Sequence, residues 1–198
     1  MTNDHPTFAA TTLDCKVNQL ALSARATRPT LKQTVDTAGY RLGSFLTDHW
    51  ATMVTIGLGL LVFTAVALPF LSYLGLDFIA KPSFFTLHYI CAQIPSHSFY
   101  ILGHQLGLCA RNLSIYTSMF LGSLIFVLSK KRLPGIPWWL WLLLILPMAW
   151  DGFTQMFGLR ESDWILRTVT GTLFGLGSVW FALPLMHKTL LETTPPPR

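Results

Sequence analysis

Charge is what this chain has least of. Only 12% of its 198 residues are Asp, Glu, Lys or Arg, while 52% are hydrophobic. A soluble domain carries about a quarter charged residues, and a chain of this length has no core able to hide so much apolar side chain. A bilayer must take the excess. Cysteine is scarce too. Cys15, Cys91 and Cys109 cannot all pair within the chain, which excludes a disulfide-rich scaffold. The net charge of +5 is not gathered into a basic stripe with interleaved aromatics, so nucleic acid is not an expected partner. The opening "MTNDHPTFAA" lacks a basic stretch followed by an apolar one, so membrane insertion is expected to depend on the first spanning helix rather than on a signal peptide. No repeat of fixed period is evident.

What is present is a series of apolar runs with basic flanks. The expected fold is an all-α integral membrane protein: a four-helix transmembrane bundle with an interfacial or re-entrant outer loop and an N-terminal amphipathic helix. Residues 1–30 are mixed and polar, and read as a disordered leader. In residues 31–49, Leu31, Val35, Leu42, Phe45 and Leu46 fall near one helical face. Lys32, Asp36, Arg41 and Asp48 lie elsewhere, which is the pattern of an interfacial helix. The four-span domain covers residues 50–188, with spans at about 50–76, 113–129, 136–158 and 164–187. Ser114, Ser118 and Gly122 in the second span, and Gly171, Gly175 and Ser178 in the fourth, are small-residue stripes suited to close helix packing. For the same reason "GTLFGLG" reads as helix packing and not as a phosphate loop. Residues 77–111 are too interrupted to span, and residues 189–198 read as a disordered tail.

Orientation follows from lysine and arginine. Lys16, Arg25, Arg28, Lys32 and Arg41 precede the first span, Lys130, Lys131 and Arg132 divide the second from the third, and Lys188 and Arg198 follow the fourth. These segments alternate correctly if both termini are cytoplasmic, in the cell (inner or plasma) membrane. Both chemically suggestive loops then face outward together. One carries Cys91, His104, Cys109 and Arg111; the other carries Asp151, Gln155, Arg160 and Glu161.

Several chemistries compete for these residues. A Cys91–Cys109 disulfide would close a loop worth roughly 3 kcal/mol in the chain-entropy model and suits an oxidising outer compartment; buried free thiols are the alternative. Zinc is a further candidate cofactor, with His88, Cys91, His104 and Cys109 as a Cys2His2 set, although the spacing matches no standard zinc module. Asp151 and Gln155 share a helix face. A carboxylate in apolar surroundings needs a partner. Arg167 in the antiparallel fourth helix is the nearest expected one, with Arg160 or Arg111 as substitutes.

Two stretches carry a resemblance. Cys91-Ala92-Gln93, Pro95, Ser98 and the run Cys109 to Tyr116 form the first. Asp151-Gly152-Phe153-Thr154-Gln155 with Gly158-Leu159-Arg160-Glu161-Ser162 form the second. Together they resemble the prokaryotic predicted membrane protein family called domain-of-unknown-function family 2085. That family tends to have His where this chain has Ala92, Arg where it has His97, and Cys where it has Asn112; Leu113 and Ser114 also depart. Two candidate metal ligands are therefore absent here. The resemblance implies a fold and no activity.

The function expected from the residues is binding. An outer polar pocket would use Arg111, Asp151, Gln155, Arg160 and Glu161 to hold a small-molecule ligand, a lipid headgroup or a partner membrane subunit, with the bilayer as constant partner. The alternative is a membrane enzyme acting on a lipid or quinone-like substrate, with Asp151 as candidate catalytic acid or base. A small transporter ranks third, because the first two spans hold no charge.

Overall fold

The computed structural model describes residues 31–158 and 161–193. The expected leader, Cys15, Arg160 and residues 194–198 lie outside the described residues. By its internal contacts the chain divides into two units, residues 1–48 and 49–198. Helix α1 runs from Leu31 to Tyr73 without interruption, so the amphipathic segment and the first expected span are one helix. In the first unit its apolar side chains Val35, Tyr40 and Leu42 are exposed.

In the second unit, α1 stops in a Schellman turn. Gly75 takes φ +74°, a conformation without Cβ penalty for glycine, and lets the Leu76 N–H donate to the Leu71 carbonyl at 2.9 Å. Helix α2, Asp77–His88, follows, begun by Asp77 and its 3.0 Å ion pair with Lys81. It ends well before Pro95, and a single 3-10 turn covers Pro95–His97. Next comes a correction to the all-α expectation. "SFYI" and "HQLGLC" form an antiparallel hairpin, β1 Ser98–Ile101 and β2 His104–Cys109. Leu102 and Gly103 both have positive φ (53° and 79°), the signature of a two-residue type I′ turn whose twist matches its strands. Fully apolar stretches such as "LGL" hide the alternation by which a strand is usually recognised.

Three long helices complete the unit: α3 Ala110–Leu128, α4 Trp138–Met156 and α5 Trp164–Thr193. The last continues past the expected start of the tail. Helices α3 and α5 lie side by side on the two small-residue stripes. A Cβ on Gly175 would stand 2.1 Å from Ser118 Oγ and 2.5 Å from the Ile115 carbonyl, and one on Gly171 would stand 2.7 Å from the Arg111 carbonyl. Only glycine permits this approach. Two apolar clusters form, one of Ala65, Leu68, Ala80, Leu87, Cys91 and Leu108 beneath the hairpin, the other of Trp50, Ala51, Phe126, Val179 and Leu183.

Three helices are long and apolar enough to cross a membrane: Gly39–Tyr73, Ala110–Leu128 and Trp164–Glu192. The expected four-span bundle is thus met by three. Helix α4 has spanning length at 19 residues and carries Asp151, Thr154 and Gln155 in its last turns; it is not among these three. Phe63 and Leu128 are each 71% exposed, an arrangement water would penalise and lipid does not.

Candidate functional site

Four chain segments meet at one end of the α3–α5 pair. Arg111 stands in the first turn of α3, Asp151 and Gln155 share a face in the last turns of α4, Ser162 lies in the following connection, and Arg167 stands in the first turn of α5. Arg111 Nη2 donates to Asp151 Oδ2 in a tight ion pair. Gln155 Nε2 donates to the same oxygen at 3.0 Å and also to Ser162 Oγ. Arg167 Nε donates to Ser162 Oγ at 3.0 Å, and Arg111 Nη2 reaches it at 3.4 Å. Asp151 is the one buried residue of α4 and is only 1% exposed. A helix that exposes Trp138, Leu143 and Trp150 while burying its carboxylate is inside out by the standards of water.

The two loops expected to share a face therefore do meet, through Arg111 and Asp151. The partner of Asp151 is Arg111, whereas the nearest expected partner, Arg167, is held by Ser162. Ser162, the hub of this network, entered the sequence reading only as the end of the resembled Gly158–Ser162 stretch and was given no role there; serine in a connection carries no periodic signal. Arg111 and Gln155 both engage the Asp151 carboxylate.

Beside this network opens a cleft of about 490 Å³, lined by His97, Phe99, Glu161, Ser162, Trp164 and Arg167 among others. Arg167 is buried at 6% exposure, and among the described residues no carboxylate pairs with it. Arg111 Nε is also buried without a hydrogen-bond partner there. On the rim, Asp163 Oδ1 accepts from the Trp164 N–H at 2.8 Å, capping α5, and Glu161 is exposed. Burial first, then the charge of Arg167, lowers His97 below its ordinary value, with Glu161 pulling the other way.

The second loop feature is built around Gln93. Its backbone has φ +50° and its side chain is buried. Nε2 donates to the carbonyls of Phe84 (2.9 Å) and Gly107 (2.8 Å), and Oε1 faces His88 Nδ1 at 3.3 Å. Gln105 Nε2 donates in turn to the Gln93 carbonyl at 2.8 Å. These amides pin α2 to the hairpin. Cys91 and Cys109 are free thiols in contact: the Cys109 N–H donates to Cys91 Sγ at 3.2 Å. Among the described residues no three His, Cys, Asp or Glu side chains gather to hold a metal ion. The expected set of His88, Cys91, His104 and Cys109 is not assembled: His88 is turned to Gln93, and His104 sits at the hairpin turn opposite Ile101. Asn112 Nδ2 donates to the Ile90 carbonyl at 3.1 Å.

Comparison with known proteins now adds to this geometry. The family model described as "Predicted membrane protein (DUF2085)" matches residues 91–181, from the first thiol to the middle of α5. An uncharacterized protein of Methanocaldococcus jannaschii is 36% identical over 133 residues, 63% of this chain and 84% of that relative. The chain belongs to the DUF2085 family of predicted membrane proteins. A second uncharacterized relative, from Methanothermobacter thermautotrophicus, is 36% identical over 102 residues, 52% of this chain and 92% of its own length. No solved structure matches. Cys91, Gln93, Cys109, Arg111, Asp151, Ser162 and Arg167 lie within the matched segment, whereas Phe84 and His88 precede it.

Proposed function

We propose that this DUF2085 protein is a four-span protein of the cell membrane, both termini cytoplasmic, that binds a phospholipid headgroup in the outward-facing cleft beside Arg111 and Arg167. The observation that carries this reading is Arg167: a buried guanidinium, held at Nε by Ser162, lining a cleft and lacking a carboxylate among the described residues. Buried cations without a counter-charge are costly, and a bound phosphate supplies one with bidentate geometry. Glu161 on the rim favours a headgroup with an amine beyond the phosphate. Exposed Trp150, Phe157 and Trp164 ring the same end, the composition of a membrane–water boundary, where headgroups lie. The fourth span is α4, whose exposed apolar face and buried Asp151 suit lipid outside and a polar network inside. Arg160 lies outside the described residues, and its expected place in the pocket is part of this proposal.

Native mass spectrometry of the protein taken from vesicles tests the reading. Phosphatidylethanolamine is expected to be retained over phosphatidylcholine, whose methylated amine cannot donate to Glu161. Arg167→Gln should lose retention at least about tenfold, the loss of a charge-assisted contact. Equal retention of both lipids by the parent and by Arg167→Gln would end the proposal. Preference for phosphatidylglycerol would keep the phosphate contact and remove the amine contact.

A further inference from the structure

We propose that Cys91 and Cys109 form a reversible dithiol–disulfide couple that exchanges two electrons with a disulfide-bearing partner, a small thiol's disulfide or a protein's. This inference stands on the arrangement of the two sulfurs and is independent of the headgroup cleft.

Three observations carry it. The first is juxtaposition. Cys91 follows the last turn of α2, where its N–H donates to the Leu87 carbonyl at 3.1 Å. Cys109 is the N-cap of α3, and its N–H points at Cys91 Sγ. The second is the kind of donor this sulfur meets, a backbone N–H at the N-terminus of α3, at 3.2 Å. A thiol accepts hydrogen bonds weakly, whereas a thiolate at a helix N-terminus accepts them well. The third is unequal access. Cys91 is 4% exposed and Cys109 is half-buried, so a partner meets Cys109 first. The donors, the Cys109 thiol foremost, lower Cys91 to about 5 against the opposing effect of burial, and the same contact raises Cys109.

The exchange follows from these roles. The Cys91 thiolate takes the proton of Cys109, and the Cys109 thiolate so formed attacks one sulfur of the partner RS–SR, giving the mixed disulfide Cys109–S–S–R and releasing RS⁻. That RS⁻ takes the proton back from Cys91 and leaves as RSH. The Cys91 thiolate then attacks the Cys109 sulfur, forming Cys91–Cys109 and expelling the second RS⁻. Two cysteine sulfurs are oxidised and the partner disulfide is reduced to two thiols. Donors that stabilise the Cys91 thiolate stabilise the reduced form, so the resulting disulfide is readily reduced again and is not a permanent staple.

The test uses the full chain carrying Cys15→Ser, in detergent, equilibrated across a series of oxidised and reduced dithiothreitol. Samples are quenched with acid, then alkylated with a mass-tagged maleimide, while circular dichroism follows helix content. Two adducts are expected at the reducing end and none at the oxidising end. Both should disappear through one midpoint, with the intact mass falling by two hydrogens and the helices retained. Adding Cys91→Ser to this chain should leave one adduct across the whole series. Persistence of both adducts at the oxidising end overturns the couple. So does a pair that yields no adducts at the reducing end until the helices are unfolded.

Discussion

Helices α3 and α5 run side by side, yet their two ends are held by unlike means. At the N-terminal end of both, Arg111 and Arg167 are tied through Ser162 to Asp151 and Gln155 of α4. At the C-terminal end, Phe126 packs between Trp50 (ring centroids 6.3 Å apart) and His187 (6.2 Å), with Val179 and Leu183 around it. Between them the glycines of α5 lie on the serines of α3. In lipid the hydrophobic effect does not drive helices together, so packing and polar contacts must do so. The apolar end needs only shape. The polar end adds a cation without a paired carboxylate among the described residues, more than assembly alone requires.

Substitutions should separate the ends, starting with the largest effect. Asp151→Ala leaves the part-buried Arg111 and the buried Arg167, both on Ser162, with no carboxylate between them. Breaking such a pair is expected to cost about 3–5 kcal/mol, read as a lower midpoint in detergent-induced unfolding followed by circular dichroism. If Asp151→Ala unfolds like the parent, the polar end holds nothing together. Gly175→Val forces a side chain onto Ser118 and the Ile115 carbonyl and should cost about 3 kcal/mol by overpacking. Its signature is that both ends loosen at once, measured as faster alkylation of cysteines introduced at either. Phe126→Ala removes the centre of the apolar end at about 3 kcal/mol, and headgroup retention should stay unchanged; lost retention would show that the ends are coupled.

A pH series sharpens the contrast further. The folded value of His97 lies below its ordinary 6.5. As pH falls through that window the unfolded chain binds protons that the folded chain does not, so stability declines with acidification. A bound phosphate offsets the charge of Arg167 and raises the His97 value. Its titration by NMR should therefore move upward in phosphatidylethanolamine micelles relative to detergent alone, and an unmoved titration would place the phosphate elsewhere. Smallest of all is Phe63→Ala on the exposed face of α1, within about 0.5 kcal/mol in the same unfolding assay.

How far the residues announced this arrangement differs from one element to the next. The apolar run after Trp50 and the small-residue stripes are one-dimensional patterns, and they led directly to long helices and to faces suited to close packing; that the two stripes meet each other was decided by the structure. The hairpin was missed because β1 and β2 are short and Leu106 to Leu108 is a continuous apolar patch, where neither period stands out. Asp151 was legible as a carboxylate in need of a partner. Which arginine answers it depends on the relative rotation of three helices, and no local pattern records that.

By itself the sequence determined that this chain suits a bilayer and where its long helices lie. Those properties are set by composition and by spacing along one chain, which transfer free energy and helical geometry translate almost without context. Only the tertiary structure decided that Arg111 meets Asp151, that Ser162 holds Arg167 at the edge of a cleft, and that Cys91 rests against the first N–H of α3. Such contacts join residues far apart in sequence. They depend on distances of a few ångströms that are fixed only when all the helices have packed.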